Sequence, residues 1–506
     1  MNNAWRTRLR GLAETKGFAQ SLALALQPGD TVCLEGDLGV GKSVVARCIV
    51  QTLMADASLE VPSPTFSIVQ PYESANSKYA ISHFDLYRLF GADELEEVEF
   101  SDAIGRDICL IEWPDRAEEL LPQDRILLEI EIASADERSI CVSAPADFHR
   151  RLRRTIAAGS FLYRHWGSGT FRAPMSGDAS ARRYETVRHV GEDQRILMDA
   201  PAIDEASVSA SALDYMKRAN ITRNVSAFIS IDQLLRSHGF KAPQIFAEDQ
   251  DQGFLLLEDL GSQGLLDEDR SPIEKRYETA ARFLAHFHQS MLNRNEDTLN
   301  QSGIPAYDRE AMLCELALYP DWFLPNNQSF DREAFVSGWQ RLIAILWDDP
   351  PVIVLRDYHS PNILWQPEAT GVVDQIGLID FQDALLGPST YDLASLIQDA
   401  RIDIAPAMQE ALVEAYLDET AKLSGTVNAE KFRRSLAISG AQRNTKILGG
   451  FVRLSKRDGK NQYLPRIPAI MTYLRQSLSH PVFDELRPIY ETAFRQHDTG
   501  DASANA

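Results

Sequence analysis

No stretch of the 506-residue chain is apolar for long enough to cross a bilayer, which speaks against a membrane-spanning helix. The opening residues, Met1 to Gly17, are charged and hold no apolar core of the signal-peptide kind, so a cytoplasmic location and no membrane partner are expected. Cysteine is scarce. The five present, Cys33, Cys48, Cys109, Cys141 and Cys314, are odd in number and scattered, which suits reduced core thiols and neither a disulfide framework nor a zinc cage. Positive charge is also short: at a formal net charge of −22, general nucleic-acid binding through displaced counterions is not expected. One dense basic run, His149-Arg150-Arg151-Leu152-Arg153-Arg154, reads as a local nucleic-acid contact or, more simply, as the start of a linker helix with a solvated face. What remains is an ordinary globular composition, 44% hydrophobic and 25% charged, long enough for two large domains or three smaller ones.

Against this background one stretch stands out, Gly36-Asp37-Leu38-Gly39-Val40-Gly41-Lys42-Ser43. It fits the P-loop pattern, in which glycines turn backbone N–H groups onto phosphates, a lysine reaches the β- and γ-oxygens, and a hydroxyl holds Mg²⁺. Thr31 to Leu34 reads as a buried strand entering the loop and Ser43 to Leu53 as a helix leaving it, so the phosphates would sit on a helix N-terminus. Gly36, Gly39, Gly41, Lys42 and Ser43 are the nucleotide-binding candidates, with Ser43 also a metal ligand.

Upstream, Leu9 to Leu26 show helical spacing that Pro28-Gly29-Asp30 ends. Downstream, the prolines of Val61-Pro62-Ser63-Pro64-Thr65-Phe66 exclude a helix and leave an extended loop whose Thr65 hydroxyl is suited to sensing a γ-phosphate. Strands follow at Ser67 to Tyr72, at Ala80 to Phe84 ending in Asp85, and at Asp107 to Ile111 ending in Glu112-Trp113-Pro114, with an acidic helix expected over 94–100. An acid closing an apolar strand after a P-loop suits Mg²⁺, which makes Asp85 the metal candidate. Glu112 is the candidate to orient or deprotonate the attacking water, an exposed strand-end acid being equally compatible with the spacing. A hairpin over 126–142 closes this half.

The P-loop, Ser63-Pro64-Thr65-Phe66, His83 to Leu89 and Glu112-Trp113-Pro114 together resemble TsaE, a family of bacterial P-loop ATPases that support threonylcarbamoyladenosine modification of tRNA. The resemblance spans nearly all of residues 1–145. It implies ATP and Mg²⁺ as cofactors, TsaB- and TsaD-like proteins as partners, and tRNA contacted mainly through them. Ser43 stands where that family usually has Thr; either hydroxyl can ligate Mg²⁺.

In the second half, Phe148 to Trp166 reads as a basic amphipathic helix, and Ser176-Gly177-Asp178-Ala179-Ser180 as a turn between Pro174 and a strand over 184–190, with a further strand at Arg195 to Met198. Far downstream a strand at Val352 to Leu355 leads to Arg356-Asp357-Tyr358-His359-Ser360-Pro361-Asn362, and a strand at Gln375 to Ile379 to Asp380-Phe381. Asp357, with Asn362 five positions on, fits a kinase catalytic loop: Asp357 accepts the hydroxyl proton of the acceptor, while Asn362 and Asp380 are the metal candidates. Ala280, Phe283, Leu284, Phe287 and Met291 recur at helical spacing and should face a core, and His286 and His288 read as structural.

These residues resemble aminoglycoside phosphotransferase-like kinases. More narrowly, Gly177 to Tyr184, Leu197-Met198-Asp199-Ala200-Pro201, Leu256 to Gly261 and Tyr391-Asp392-Leu393-Ala394 are similar to the AmgK group, which phosphorylates the anomeric hydroxyl of N-acetylmuramate and N-acetylglucosamine in cell-wall recycling. The resemblance implies an adenine-binding hinge at Glu258, Asp259 and Leu260, and a substrate contact at Glu315. Met198 stands where such kinases carry a phosphate-binding lysine, and Leu355 where a His usually precedes the base by two positions. Arg183, or Arg182, is the candidate replacement for the lysine. Another small hydroxylated acceptor (choline, an aminoglycoside) and a pseudokinase module regulating the ATPase are the alternatives. The expected architecture is an α/β P-loop NTPase domain (1–146), a linker helix region (147–170), an α+β protein-kinase-like domain (171–496) and a disordered tail (497–506).

Overall fold

The computed structural model describes residues 3–73, 79–89, 95–96, 98–175, 182–292, 303–324 and 330–504, with side chains up to 495. The turn at Ser176 to Ser180 and residues 94 and 97 of the acidic stretch lie outside these; at the end of that stretch a short helix, Phe100–Ala103, is described. The chain divides into two compact units, Met1–Pro201 with Ile245–Asp259, and Ala202–Gln244 with Leu260–Ala506.

The first unit opens with a strand absent from the sequence reading, β1 (Asn3–Arg10), before helix α1 (Gly11–Ala25). Tertiary pairing selects it: β1 runs antiparallel to β7 (Glu137–Ala144), whereas its own Arg-rich alternation leaves little apolar signal. A seven-stranded sheet has the order β1-β7-β6-β2-β5-β4-β3, where β2 is Thr31–Glu35, β3 Val69–Tyr72, β4 Ile81–Asp85, β5 Ile108–Glu112 and β6 Ile126–Ser134. Strands β4, β5, β2 and β6 are parallel neighbours. Strands β2, β4 and β5 read as near-continuous apolar runs because a parallel strand is covered on both faces. Helix α2 (Lys42–Leu53) follows β2 through the P-loop.

Helix α3 (Ala146–Trp166) exposes Arg150 and Arg153, as a solvated basic face requires, and its other face is built into two cores. Phe148 and Leu152 are buried in the core of the P-loop sheet, while Ala158, Phe161, Leu162 and Trp166 enter a second core with Val187, Leu197, Phe254 and Leu256. Two of its arginines are structural, one on each side: Arg151 pairs with Asp30 at 2.9 Å, and Arg154 Nε donates to Asp199 at 2.8 Å. The second core belongs to an antiparallel sheet of order β11-β12-β10-β9-β8, with β8 Phe171–Pro174, β9 Arg183–Arg188, β10 Arg195–Asp199, β11 Ile245–Asp249 and β12 Phe254–Glu258. Strand β8 packs on α1 and α2. There the buried Arg172 forms a two-bond pair with Glu185 (2.8 and 2.9 Å) and donates to the Thr155 carbonyl (3.0 Å) and the Ser21 hydroxyl (3.2 Å).

The second unit is mostly helical: α4 (Ala210–Arg218), α5 (Ser226–Ser237), α6 (Glu274–Leu292), α7 (Arg309–Leu316), α8 (Arg332–Leu346), α9 (Thr390–Ile397), α10 (Pro406–Ser424), α11 (Ala429–Asp458), α12 (Ile467–Leu478) and α13 (Arg487–Ala504). Two short ladders punctuate it, β13 (Val352–Val354) with β16 (Leu385–Gly387) and β14 (Ile363–Trp365) with β15 (Ile376–Leu378), both antiparallel. Ala280, Phe283, Leu284, Phe287 and Met291 are all buried on α6. His286 and His288 bond Glu419 and the Tyr416 hydroxyl of α10. The backbone of α13 runs on through most of the tail expected at 497–506, to Ala504.

Candidate active sites

The first site lies at the carboxyl edge of the parallel strands. Gly36, at φ 139°, has no room for a side chain: a Cβ there would sit 2.4 Å from the Ile130 carbonyl oxygen. Gly39 and Gly41 also take positive φ, and Gly41 caps α2, so the loop turns into the helix as the sequence suggests. Lys42 is buried and folds back on its own loop, donating to the carbonyls of Gly36 (2.7 Å) and Asp37 (3.1 Å), with its ammonium 3.7 Å from the centre of the Trp113 ring. Burial holds the Lys42 pKa below its ordinary value, against the pull of Glu112 and Asp85.

Asp85 and Glu112 are register partners on the adjacent parallel strands β4 and β5, so the sheet itself delivers both carboxylates side by side. They take different neighbours. Glu112 accepts from the Ser43 hydroxyl (3.0 Å) and contacts His83 Nε2 (3.1 Å), whereas Asp85 accepts from Ser63 (2.6 Å), Thr65 (2.7 Å) and the Tyr87 backbone N–H (3.1 Å). The hydroxyl expected to hold Mg²⁺ thus faces Glu112, and the expected γ-phosphate sensor faces Asp85. His83 and Ser63 stood in the sequence motifs without a role. Arg138, which donates from β7 to the Val40 carbonyl (3.0 Å), had no local signal because it comes from a hairpin 98 residues away.

The second site is built on the loops of the helical unit. The β14–β15 ladder sets Ile363 against Leu378, so Asn362 and Asp380 emerge at the same end. The Ile379 backbone N–H donates to the Asn362 carbonyl (3.1 Å), and Asn362 Nδ2 donates to the Asp357 carbonyl (2.9 Å). The loop is held from behind. Asp392, fully buried on α9, accepts from the backbone N–H groups of Leu355 (2.7 Å) and Arg356 (2.9 Å), while burial pushes its carboxyl up to about 7. Arg356 and Asp380 sit at φ 67° and 59°, a conformation that costs about 1–3 kcal/mol per residue and persists only when neighbours impose it.

Asp357 itself is 53% exposed. Burial raises its pKa, but its neighbours, His359 first and then Lys446, Arg443 and Arg356, outweigh that and hold it down at about 2. Glu315 is not placed to touch a substrate directly. It is fully buried, its oxygens taken by Arg356, by Lys446 at 2.8 Å, by the Tyr307 hydroxyl and by Gln442, because a carboxylate removed from water must be paired. Its sequence position carried no sign of these partners, which come from nearby Tyr307 and from two distant segments.

In the first unit Met198 is buried on β10, opposite Tyr184 of β9. Arg183 is exposed opposite Asp199, whose carboxylate is already bonded by Arg154. Of the expected hinge, Glu258 ends β12 opposite Arg195, and Asp259 accepts from Gln194 Nε2 at 2.5 Å. Leu260 begins the second unit, so the two units part inside the hinge. Among the described residues no group of three or more His, Cys, Asp or Glu side chains gathers as a metal cage, and no helix is long and apolar enough to cross a membrane.

Known proteins divide the chain elsewhere, between residues 140 and 173. The family described as threonylcarbamoyl adenosine biosynthesis protein TsaE matches residues 9–140, and the phosphotransferase enzyme family matches residues 173–425. A Rickettsia bellii protein named tRNA threonylcarbamoyladenosine biosynthesis protein TsaE is 35% identical over 133 residues, 26% of this chain and 90% of the relative. A Caulobacter vibrioides protein named N-acetylmuramate/N-acetylglucosamine kinase is 30% identical over 361 residues, 67% of this chain and 96% of the relative. The crystal structure of Bacillus subtilis YdiB aligns at 29% identity and a TM-score of 0.26, covering 31% of this chain and 97% of that one. The chain therefore belongs to the TsaE family through its P-loop part and to the phosphotransferase enzyme family through its kinase-like part.

Proposed function

We propose that this chain is a bifunctional cytoplasmic enzyme. Its P-loop part hydrolyses ATP in support of tRNA threonylcarbamoyladenosine modification, alongside TsaB- and TsaD-like partners that hold the tRNA. Its kinase-like part phosphorylates the anomeric hydroxyl of N-acetylmuramate or N-acetylglucosamine. The observation that carries the kinase reading is the convergence of Asn362 and Asp380 at one end of the β14–β15 ladder, with Asp357 tied to Asn362.

The donor sets fit Mg–ATP in both parts: oxygen ligands without thiols, as a hard cation prefers. Ser43 and Asp85 would hold the metal in the first site, with Thr65 toward the γ-phosphate and Glu112 toward the attacking water; Asn362 and Asp380 would hold it in the second. Bound there, Mg²⁺ neutralises charge on the transferring phosphoryl group. Asp357, ionised at neutral pH, accepts a hydrogen bond from the acceptor hydroxyl and takes its proton as the new O–P bond forms and ADP leaves. Glu258, Asp259 and Leu260 would bind adenine through the backbone, and Arg183 would approach the phosphates where Met198 cannot. Glu315 acts on the substrate only through Arg356 and Lys446.

The cations around Asp357 favour a neutral or anionic acceptor over choline or an aminoglycoside, since a cationic acceptor would meet like charge there. An acceptor panel of N-acetylmuramate, N-acetylglucosamine, choline and an aminoglycoside, run with Mg–ATP and with Asp357→Asn, tests the reading. Phosphate on an anomeric hydroxyl, lost in the variant, is expected. Transfer to choline or the aminoglycoside alone would refute the sugar assignment, and no transfer to anything would favour a regulatory module.

A further inference from the structure

Helix α11 carries Arg443, Lys446 and Arg453 at spacings of three and seven residues, which puts all three on one face. The first two are committed. Arg443 is buried and reaches the Gln398 carbonyl at 3.4 Å; Lys446 is bonded to Glu315. Arg453 is different. Its guanidinium stacks 4.5 Å from the centre of the Tyr215 ring on α4, and its buried Nε has no hydrogen-bond partner. No carboxylate among the described residues forms an ion pair with it.

The surroundings make this surplus meaningful. Tyr215 lies within the field of Glu315, Lys446, Arg453 and Arg356, and two of these, Lys446 and Arg356, also act on Asp357, so the corner enclosed by α4, α7 and α11 adjoins the surroundings of that loop. Of the carboxylates there, Glu315 is fully paired and Asp392 is occupied by two backbone N–H groups. A stacked guanidinium with an unsatisfied N–H, next to a ring that fixes its plane, is prepared for an oxyanion from outside the chain.

The two sugars in the relatives' name differ in charge. N-acetylmuramate carries a lactyl carboxylate on the third ring carbon, two carbons from the anomeric hydroxyl, and N-acetylglucosamine carries a neutral hydroxyl in its place. Arg453 stands seven residues beyond Lys446, about 10 Å along the helix, and long helical side chains lean back toward the N-terminus, here toward Lys446 and the catalytic loop. We propose that Arg453, oriented by Tyr215 and supported by Lys446, binds the carboxylate of an acidic sugar acceptor and so sets the preference between acidic and neutral sugars. This inference rests on the amino-sugar kinase reading.

The test is the ratio of kcat/KM for N-acetylmuramate to that for N-acetylglucosamine, measured on the full chain. A charge-assisted bond of about 1.5–3 kcal/mol corresponds to a roughly ten- to hundredfold change. In Arg453→Gln the ratio should fall at least about tenfold through the KM for the acid, and Arg453→Lys should restore part of it. A ratio within about twofold of wild type in Arg453→Gln overturns the inference, whether or not overall activity drops, because a packing role would affect both sugars alike. Wild-type chain that phosphorylates neither sugar overturns the kinase reading itself, and the assignment of Arg453 with it.

Discussion

His288 shows at the scale of a single residue how burial becomes a measurable property. It is 2% exposed, bonded through Nδ1 to the Tyr416 hydroxyl, and burial lowers its pKa from the ordinary 6.5 to about 3. Below pH 6.5 the unfolded chain takes up a proton that the folded chain refuses, so stability falls as pH falls from about 6.5 toward 3. Between pH 6.5 and 5 this group alone should cost about 2 kcal/mol. Urea denaturation at the two pH values should show a loss that is smaller by that amount in His288→Gln, which keeps a polar partner for Tyr416 but does not titrate. An equal loss in wild type and variant would rule out the buried neutral imidazole. Asp357 behaves oppositely in role: held ionised down to about pH 2, it leaves any acid limb of the kinase rate above that pH to other groups.

Elements decide which groups meet. The clamp of Asp392 on the backbone of Leu355 and Arg356 ties helix α9 to the catalytic loop and balances the positive φ of Arg356. Asp392→Asn keeps the shape but replaces one acceptor oxygen with a donor facing a backbone N–H, leaving a buried donor unsatisfied at a cost of about 1–3 kcal/mol. Thermal denaturation should show that loss, with sugar-kinase turnover falling at least tenfold and the P-loop hydrolysis rate unaltered; unchanged turnover would mean the loop holds its shape without α9. Much at this scale was legible in the sequence. The strand–loop–helix around Gly36 to Ser43, the two strand-end acids, the core face of α6 and the Asp357–Asn362–Asp380 order are short motifs or periodic spacings, and the sequence records such patterns directly. The remainder is long-range. Strand β1 exists because β7 pairs with it, Glu112 rather than Asp85 meets Ser43 because of strand order, and Glu315 is enclosed by Arg356 and Lys446 from segments 41 and 131 residues away. Tyr391-Asp392 was visible as a motif, yet only the fold shows what it holds.

At the scale of the whole molecule, the boundary between functions is not a boundary between cores. Helix α3 buries Phe148 and Leu152 on the P-loop side and Phe161, Leu162 and Trp166 on the kinase side, and Arg172 reaches back from β8 to Ser21. Removing residues 1–145 would expose Phe148 and Leu152 and strip Arg172 of one partner. Each buried apolar side chain contributes about 1.5–3 kcal/mol, so a fragment starting at residue 146 should melt at least 5 °C below the kinase transition of the full chain. A fragment as stable as the intact chain would show that the shared helix contributes nothing across it. If the chain carries the two proposed chemistries, each with its own carboxylate, substitution should separate them. The decisive measurement is both activities, anomeric sugar phosphate formation and partner-dependent ATP hydrolysis, on the wild-type chain, Asp357→Asn and Glu112→Gln. Asp357→Asn should abolish sugar phosphate and retain ATP hydrolysis, and Glu112→Gln should do the reverse, lowering hydrolysis on the order of 100-fold. If one substitution removed both activities, or Asp357→Asn left sugar phosphorylation intact, the assignment of two independent sites would be wrong.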